Sequence, residues 1–142
     1  MSDASTNLSA VKKILIIDDQ SDIQTIARIG LTIIGGWEVM VASSGQAGLM
    51  QARTNHPDAI LLDVMMPDMD GTDTARALRA DRDTQSIPIV FLTAKAQATD
   101  RKRLYQLGAQ GVIHKPFDPT TLASQIAGFL EWPLPERPPQ SA

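Results

Sequence analysis

The stretch AILLDVMMPDMDG, residues 59–71, passes from four consecutive apolar side chains into an acid, then into a segment broken by proline, aspartate and glycine. An apolar run this short, without polar alternation, predicts a strand covered on both faces over 59–62, running into Asp63. The segment 65–71 predicts a loop, and 72–82 a helix with Ala75 and Leu78 turned inward. A buried strand ending at a carboxylate, then a loop, then a helix, is the repeating unit of a parallel α/β sheet.

The same unit recurs on both sides of it. Upstream, ILII (14–17) is a second buried strand that stops at Asp18-Asp19. Ser21 with Gln24 three residues on predicts a capping box, opening a helix with Ile23, Ile26, Ala27 and Ile33 or Ile34 inward, ended by Gly35-Gly36. WEVMVA (37–42) alternates like a strand, and Ser43 with Gln46 predicts another capping box before a helix over 47–53. Downstream, IPIVFL (87–92) is a buried strand ending at Thr93, and a helix over 99–107 is closed by Gly108. GVIH (111–114) leads to Lys115-Pro116, after which Asp118 is expected to cap a last helix with Pro119 in its first position. That helix should bury Leu122, Ile126, Phe129 and Leu130. Five strands and five helices in strict alternation predict a doubly wound α/β fold, a five-stranded parallel sheet with helices on both faces.

Composition narrows the function. The 142 residues fit one domain, with 43% hydrophobic and 20% charged residues, as in a globular protein. Thirteen Lys+Arg against sixteen Asp+Glu leave a formal net charge of −3, which argues against gripping nucleic acid or an anionic membrane. No cysteine occurs, so disulfides, thiolate zinc sites and thiol catalysis are excluded. Apolar runs of about four residues are far short of a membrane span, and residues 1–10 lack a signal peptide's basic and apolar regions. A cytoplasmic location is the expectation. Residues 1–11 are expected to be flexible, 12–131 to form the domain, and 132–142 to form a proline-rich tail in which Trp132 stands first.

Thirteen of the sixteen acids are aspartate, a good cap, turn former and metal ligand. In an open parallel sheet, ligands bind beyond the carboxyl ends of the strands. Those ends carry Asp18 and Asp19, Asp63, Thr93 and Lys115. Any one of them alone reads as a cap or turn residue; together they place three carboxylates, a hydroxyl and an ammonium on one edge. Three adjacent carboxylates repel, and Lys115 supplies one positive charge, so a divalent cation is implied. Oxygen-only ligands favour Mg²⁺, or Mn²⁺, over zinc. A carboxylate beside such a cation can attack phosphorus and form an acyl phosphate, with Lys115 and the Thr93 hydroxyl facing the phosphoryl oxygens.

These pieces, ILIIDDQ (14–20), AILLDVMMPDMDG (59–71), IPIVFLTAK (87–95) and GVIHKPF (111–117), resemble the receiver domains of response regulators, of the chemotaxis-regulator type. The resemblance spans 12–131 and implies a (βα)5, flavodoxin-like fold with strand order 2-1-3-4-5. It implies that Asp63 is the phosphoacceptor, that Asp18 and Asp19 bind Mg²⁺ together with Asp63 and the Met65 carbonyl, and that Thr93 and Lys115 contact the phosphoryl group. It also makes Lys115–Pro116 a candidate cis bond. Where the family usually has an aromatic ring three residues before the lysine, this chain has Val112, a small and stiff side chain. The switch is therefore expected to stay in residues 94–99 and the start of the next helix.

The implied function is a two-component phosphoacceptor, not an enzyme, that takes phosphate from a histidine kinase or phosphotransfer protein. The segment after 131 is too short for an output domain, so the expected output is a contact with a downstream protein. Neither nucleic acid nor membrane insertion is expected, and the chain should be a monomer or weak homodimer. An Asp-nucleophile phosphatase would show Asp-x-Asp, whereas Asp63-Val64-Met65 lacks the second acid. A flavodoxin-like nucleotide binder should have a Gly/Ser/Thr-rich loop where Asp18-Asp19 stand. A phosphorylation-independent adaptor of the same fold is disfavoured by the full set of five pocket residues.

Overall fold

The computed structural model describes residues 11–95 and 97–134, so residues 1–10 of the expected flexible end and 135–142 of the expected tail lie outside it. Its elements alternate: β1 (Lys13–Ile17), α1 (Ser21–Ile33), β2 (Glu38–Ala42), α2 (Gly45–Asn55), β3 (Ala59–Asp63), α3 (Gly71–Ala80), β4 (Ile89–Thr93), α4 (Ala98–Gln106), β5 (Gly111–His114) and α5 (Leu122–Leu130). All strands are parallel, in the order β2-β1-β3-β4-β5. The doubly wound sheet and its strand order match the expectation.

Strand side chains alternate between two cores. Ile14, Ile16, Leu61, Val90, Leu92 and Ile113 pack with Ala27 and Leu31 of α1 and with Leu122, Ala123, Ile126 and Ala127 of α5. Leu15, Ile17, Ile60, Leu62, Ile89 and Phe91 pack on the opposite face with Ala52 of α2, Ala75 and Leu78 of α3 and Leu104 of α4. Because both faces are covered, the strands are apolar throughout instead of alternating. From β1 the chain winds one way to β2 and then returns to β3 on β1's other side. The loops leaving β1 and β3 therefore diverge, and the crevice between them is where such a sheet binds ligands.

Several local expectations are corrected. The stripe assigned to α1 is wrong in part: Ala27 is buried and Ile23 packs on the core, but Ile26, Ile33 and Ile34 are exposed, while Gly30 and Leu31 are buried. The cause is close approach, since a Cβ at Gly30 would collide with the Pro119 carbonyl oxygen. A small residue must face that contact, and Ile26 and Ile33 are left outside the buried stripe. Neither capping box forms as expected. Gln20 occupies the N-cap of α1 without a side-chain cap bond, and Gln24 Nε2 instead donates to the Asp18 carbonyl at 2.6 Å and to Ser43 Oγ at 3.0 Å. At α2 the cap is one residue later: Ser44 Oγ accepts from the Ala47 N–H at 3.1 Å.

Asp118 does not cap α5. Its Oδ1 accepts from the Thr120 N–H at 2.9 Å and its carbonyl from the Thr121 N–H at 3.0 Å, so residues 118–121 form a turn and the helix starts at Leu122. Trp132, expected in the tail, belongs to the folded unit: its ring meets Trp37 edge to face at 5.0 Å, with the Lys12 ammonium 5.2 Å from its centroid. The Lys115–Pro116 bond is cis, as the resemblance implied.

Candidate functional site

Four strand ends converge on the crevice. Asp18 follows β1, Asp63 ends β3, Thr93 ends β4 and Lys115 follows β5. Asp18, Asp63 and Thr93 are buried at 0%, 2% and 1% exposure, while Asp19 is exposed. Oxygens of Asp18, Asp19 and Asp63 lie within 4.8 Å of one another. Every carboxylate expected at this edge is there.

The backbone holds these groups firmly. The Asp18 N–H donates to the Ala42 carbonyl at 3.1 Å, and Asp18 Oδ1 accepts from the Gln20 N–H at 2.9 Å. The loop after β3 folds back on the site through a Gly71 N–H bond to the Val64 carbonyl at 2.8 Å. A Cβ at Gly71 would strike the Asp63 carbonyl oxygen, so only glycine permits the closure. Asp70 then caps α3, its Oδ1 accepting from the Asp73 N–H at 2.9 Å and from the Thr72 hydroxyl at 2.8 Å. Met65 is exposed, and its N–H reaches Asp63 Oδ1 at 3.4 Å.

Lys115 is the cation at the centre. Its Nζ lies 3.1 Å from Asp18 Oδ2, 3.2 Å from Asp63 Oδ1 and 3.3 Å from Gln20 Oε1. Burial pushes the Asp63 carboxyl up and the charge of Asp18 adds to this; Lys115 opposes both without overcoming them. For Lys115, burial alone would lower the ammonium, but its contacts with Asp18 and Asp63 together outweigh it, and the group is held above its ordinary value. Thr93, by contrast, is turned to its own loop: Oγ1 accepts from the Lys95 N–H at 2.9 Å and donates to the Lys95 carbonyl at 3.1 Å.

The residues present fit a hard divalent cation. Asp18 Oδ2 and Asp63 Oδ2 are buried without a hydrogen-bond partner, the former ion-paired with Lys115 at 3.1 Å. Unpaired buried carboxylate oxygens are costly, and one added cation would satisfy both. The donors are oxygens alone, as Mg²⁺ or Mn²⁺ prefers.

One residue of the site escaped the sequence reading. Gln20 stands inside ILIIDDQ, and no spacing or residue type there points to Lys115 as its partner. The available signal was a glutamine directly before a helix, where Ser, Thr, Asp or Asn is usual. His56 and His114 are both exposed, and His114 pairs in register with Thr93.

Comparisons agree with the geometry. Residues 14–127 match the family described as response regulator receiver domain. The probable transcriptional regulator ycf27 of Galdieria sulphuraria is 42% identical over 124 residues, covering 87% of this chain and 47% of that protein. The alkaline phosphatase synthesis transcriptional regulatory protein PhoP of Bacillus subtilis is 37% identical over 119 residues, covering 84% and 48%. The chain thus spans about half the length of the curated relatives it matches. Among solved structures, the chemotaxis protein CheY4 of Vibrio cholerae aligns with a TM-score of 0.79 at 31% identity, covering 84% of this chain and 99% of that one. A putative response regulator from Chloroflexus aurantiacus J-10-fl aligns at 0.78 and 30% identity, covering 85% and 98%.

Proposed function

The chain belongs to the response regulator receiver domain family, and from that premise we propose that it is a two-component phosphoacceptor whose reactive group is Asp63. The observation that supports this most is Asp63 Oδ2, buried and unpartnered, on a carboxylate whose Oδ1 is 3.2 Å from a lysine ammonium. In the proposed step, that oxygen attacks the phosphorus of a phosphohistidine on a histidine kinase or phosphotransfer protein. The O–P bond forms as the N–P bond breaks; its electron pair stays on the imidazole, which takes a proton. The product is an acyl phosphate. Lys115 faces the new negative charge, and the Thr93 hydroxyl leaves Lys95 to donate to a phosphoryl oxygen. Held by Asp18, Asp19, Asp63 and the Met65 carbonyl, Mg²⁺, or Mn²⁺, would add positive charge opposite the phosphoryl oxygens.

In this reading the chain assists its own modification and is not an enzyme acting on other molecules. It works in the cytoplasm as a monomer or weak homodimer; among the described residues no helix is long and apolar enough to cross a membrane. Its partners are the phosphodonor protein and a downstream protein that reads the modified face, and the net charge of −3 argues against this domain gripping nucleic acid itself. The test is incubation with phosphoramidate and Mg²⁺, then intact mass measurement. The wild type should gain one phosphoryl group and Asp63→Asn none; an adduct formed in the variant at unchanged yield sinks the assignment.

A further inference from the structure

We propose that Gln20 is a positioning residue for Lys115, an inference that rests on Asp63 being the phosphoacceptor. A lysine ammonium carries three protons to donate. Three acceptors surround Lys115 Nζ: Asp18 Oδ2 at 3.1 Å, Asp63 Oδ1 at 3.2 Å and Gln20 Oε1 at 3.3 Å. Of the three, the Gln20 contact has the geometry of a hydrogen bond, and the two carboxylates stand to the ammonium as ion pairs. The neutral amide of Gln20 therefore supplies directional hold that the carboxylates' charge does not.

Two features place Gln20 between Asp18 and Lys115. Gln20 has the extended backbone of an N-cap residue, φ −94° and ψ 116°, yet its side chain makes no cap bond to α1. A helix start forgoes a stabilising contact there, and the amide oxygen reaches across to the end of β5 instead. Its backbone N–H also donates to Asp18 Oδ1 at 2.9 Å. One exposed residue thus ties the buried carboxylate after β1 to the ammonium after β5.

The consequence is kinetic. The lysine stem has four rotatable carbons, and its head must sit beside the phosphoryl oxygens as the O–P bond forms or breaks. Removing the amide acceptor leaves the ammonium free to shift between Asp18 and Asp63. Phosphorylation and hydrolysis share this requirement, so both should slow, by about fivefold, in the range set by one modest hydrogen bond. Half-saturating Mg²⁺ should not change, because the Gln20 side chain bonds the ammonium and none of the three carboxylates, whereas general damage to the loop would change it.

The experiment compares wild type with Gln20→Met, which keeps length and loses the acceptor, and with Gln20→Glu, which restores an acceptor. Each is assayed with phosphoramidate for the rates of adduct gain and loss and for half-saturating Mg²⁺. The order of Lys115 Cε is measured by ¹³C relaxation in the unphosphorylated protein. Gln20→Met should slow both rates with Mg²⁺ dependence intact and should disorder Lys115 Cε; Gln20→Glu should restore that order. Unchanged rates in Gln20→Met overturn the proposal, and so does slowing without loss of order at Lys115. A wild type that takes no phosphoryl group overturns the phosphoacceptor reading instead, while the relaxation data still judge the Gln20–Lys115 contact.

Discussion

Asp63 is destabilising where it stands, and the reason can be read from its neighbours. Burial first and the Asp18 charge second raise its pKa in the folded protein, and Lys115 only partly compensates. A carboxyl raised on folding binds its proton more tightly in the native state than in the unfolded chain. Its stabilising contribution is fully present below the unfolded value of about 3.9 and is lost as pH rises through the higher folded value. Asp63→Asn should therefore raise Tm at pH 7 without metal, and the gain should vanish near pH 3. Thermal melts at both pH values check this; a loss of stability at pH 7 would contradict it. The sequence showed which carboxylates meet at this edge, because each directly follows an apolar run. It did not show that Thr93 faces the Lys95 backbone, a matter of how the loop after β4 turns, or that Gln20 faces Lys115, which lies 95 residues away in the chain.

At the scale of elements, α3 depends on its cap. Asp70 Oδ1 takes the Asp73 N–H at 2.9 Å, and that bond foremost holds the Asp70 carboxyl below its ordinary value. A depressed carboxylate contributes stability above its unfolded pKa and loses it as pH falls through the folded one. Asp70→Ala should cost about 1 kcal/mol at pH 7 and progressively less below pH 4, which denaturant midpoints at several pH values would measure. β5 supports a second expectation. Val112 is half-buried against the core that contains Leu104, and no ring stands in its place to move between two positions. With beryllofluoride and Mg²⁺, amide shifts should concentrate in residues 94–100, Ala96 lying outside the described residues, and stay small over 111–114. Equal shifts in β5 and α5 would show that the valine transmits the change after all.

For the whole molecule, the unpaired carboxylate oxygens of Asp18 and Asp63 join metal binding to global stability. A ligand that binds only the native state stabilises it by mass action, about 2.7 kcal/mol at a hundredfold excess over Kd. Millimolar Mg²⁺ should raise Tm, and Asp19→Ala, which removes the exposed member of the trio, should abolish most of that rise; an undiminished rise would remove Asp19 from the ligand set. The sequence alone determined the alternation of elements, the double-sided burial of the sheet and the edge on which Asp18, Asp19, Asp63, Thr93 and Lys115 gather. These follow from short-range signals: four-residue apolar runs, the glycines and acids that end them, and the rule that parallel strands present their carboxyl ends together. Only the tertiary structure decided which face of α1 is buried, where the caps of α1, α2 and α5 fall, and that Trp132 closes on Trp37. Gly30 turns inward because the Pro119 carbonyl approaches it; hydrophobicity reports what a side chain gains by burial, not how near another backbone will come.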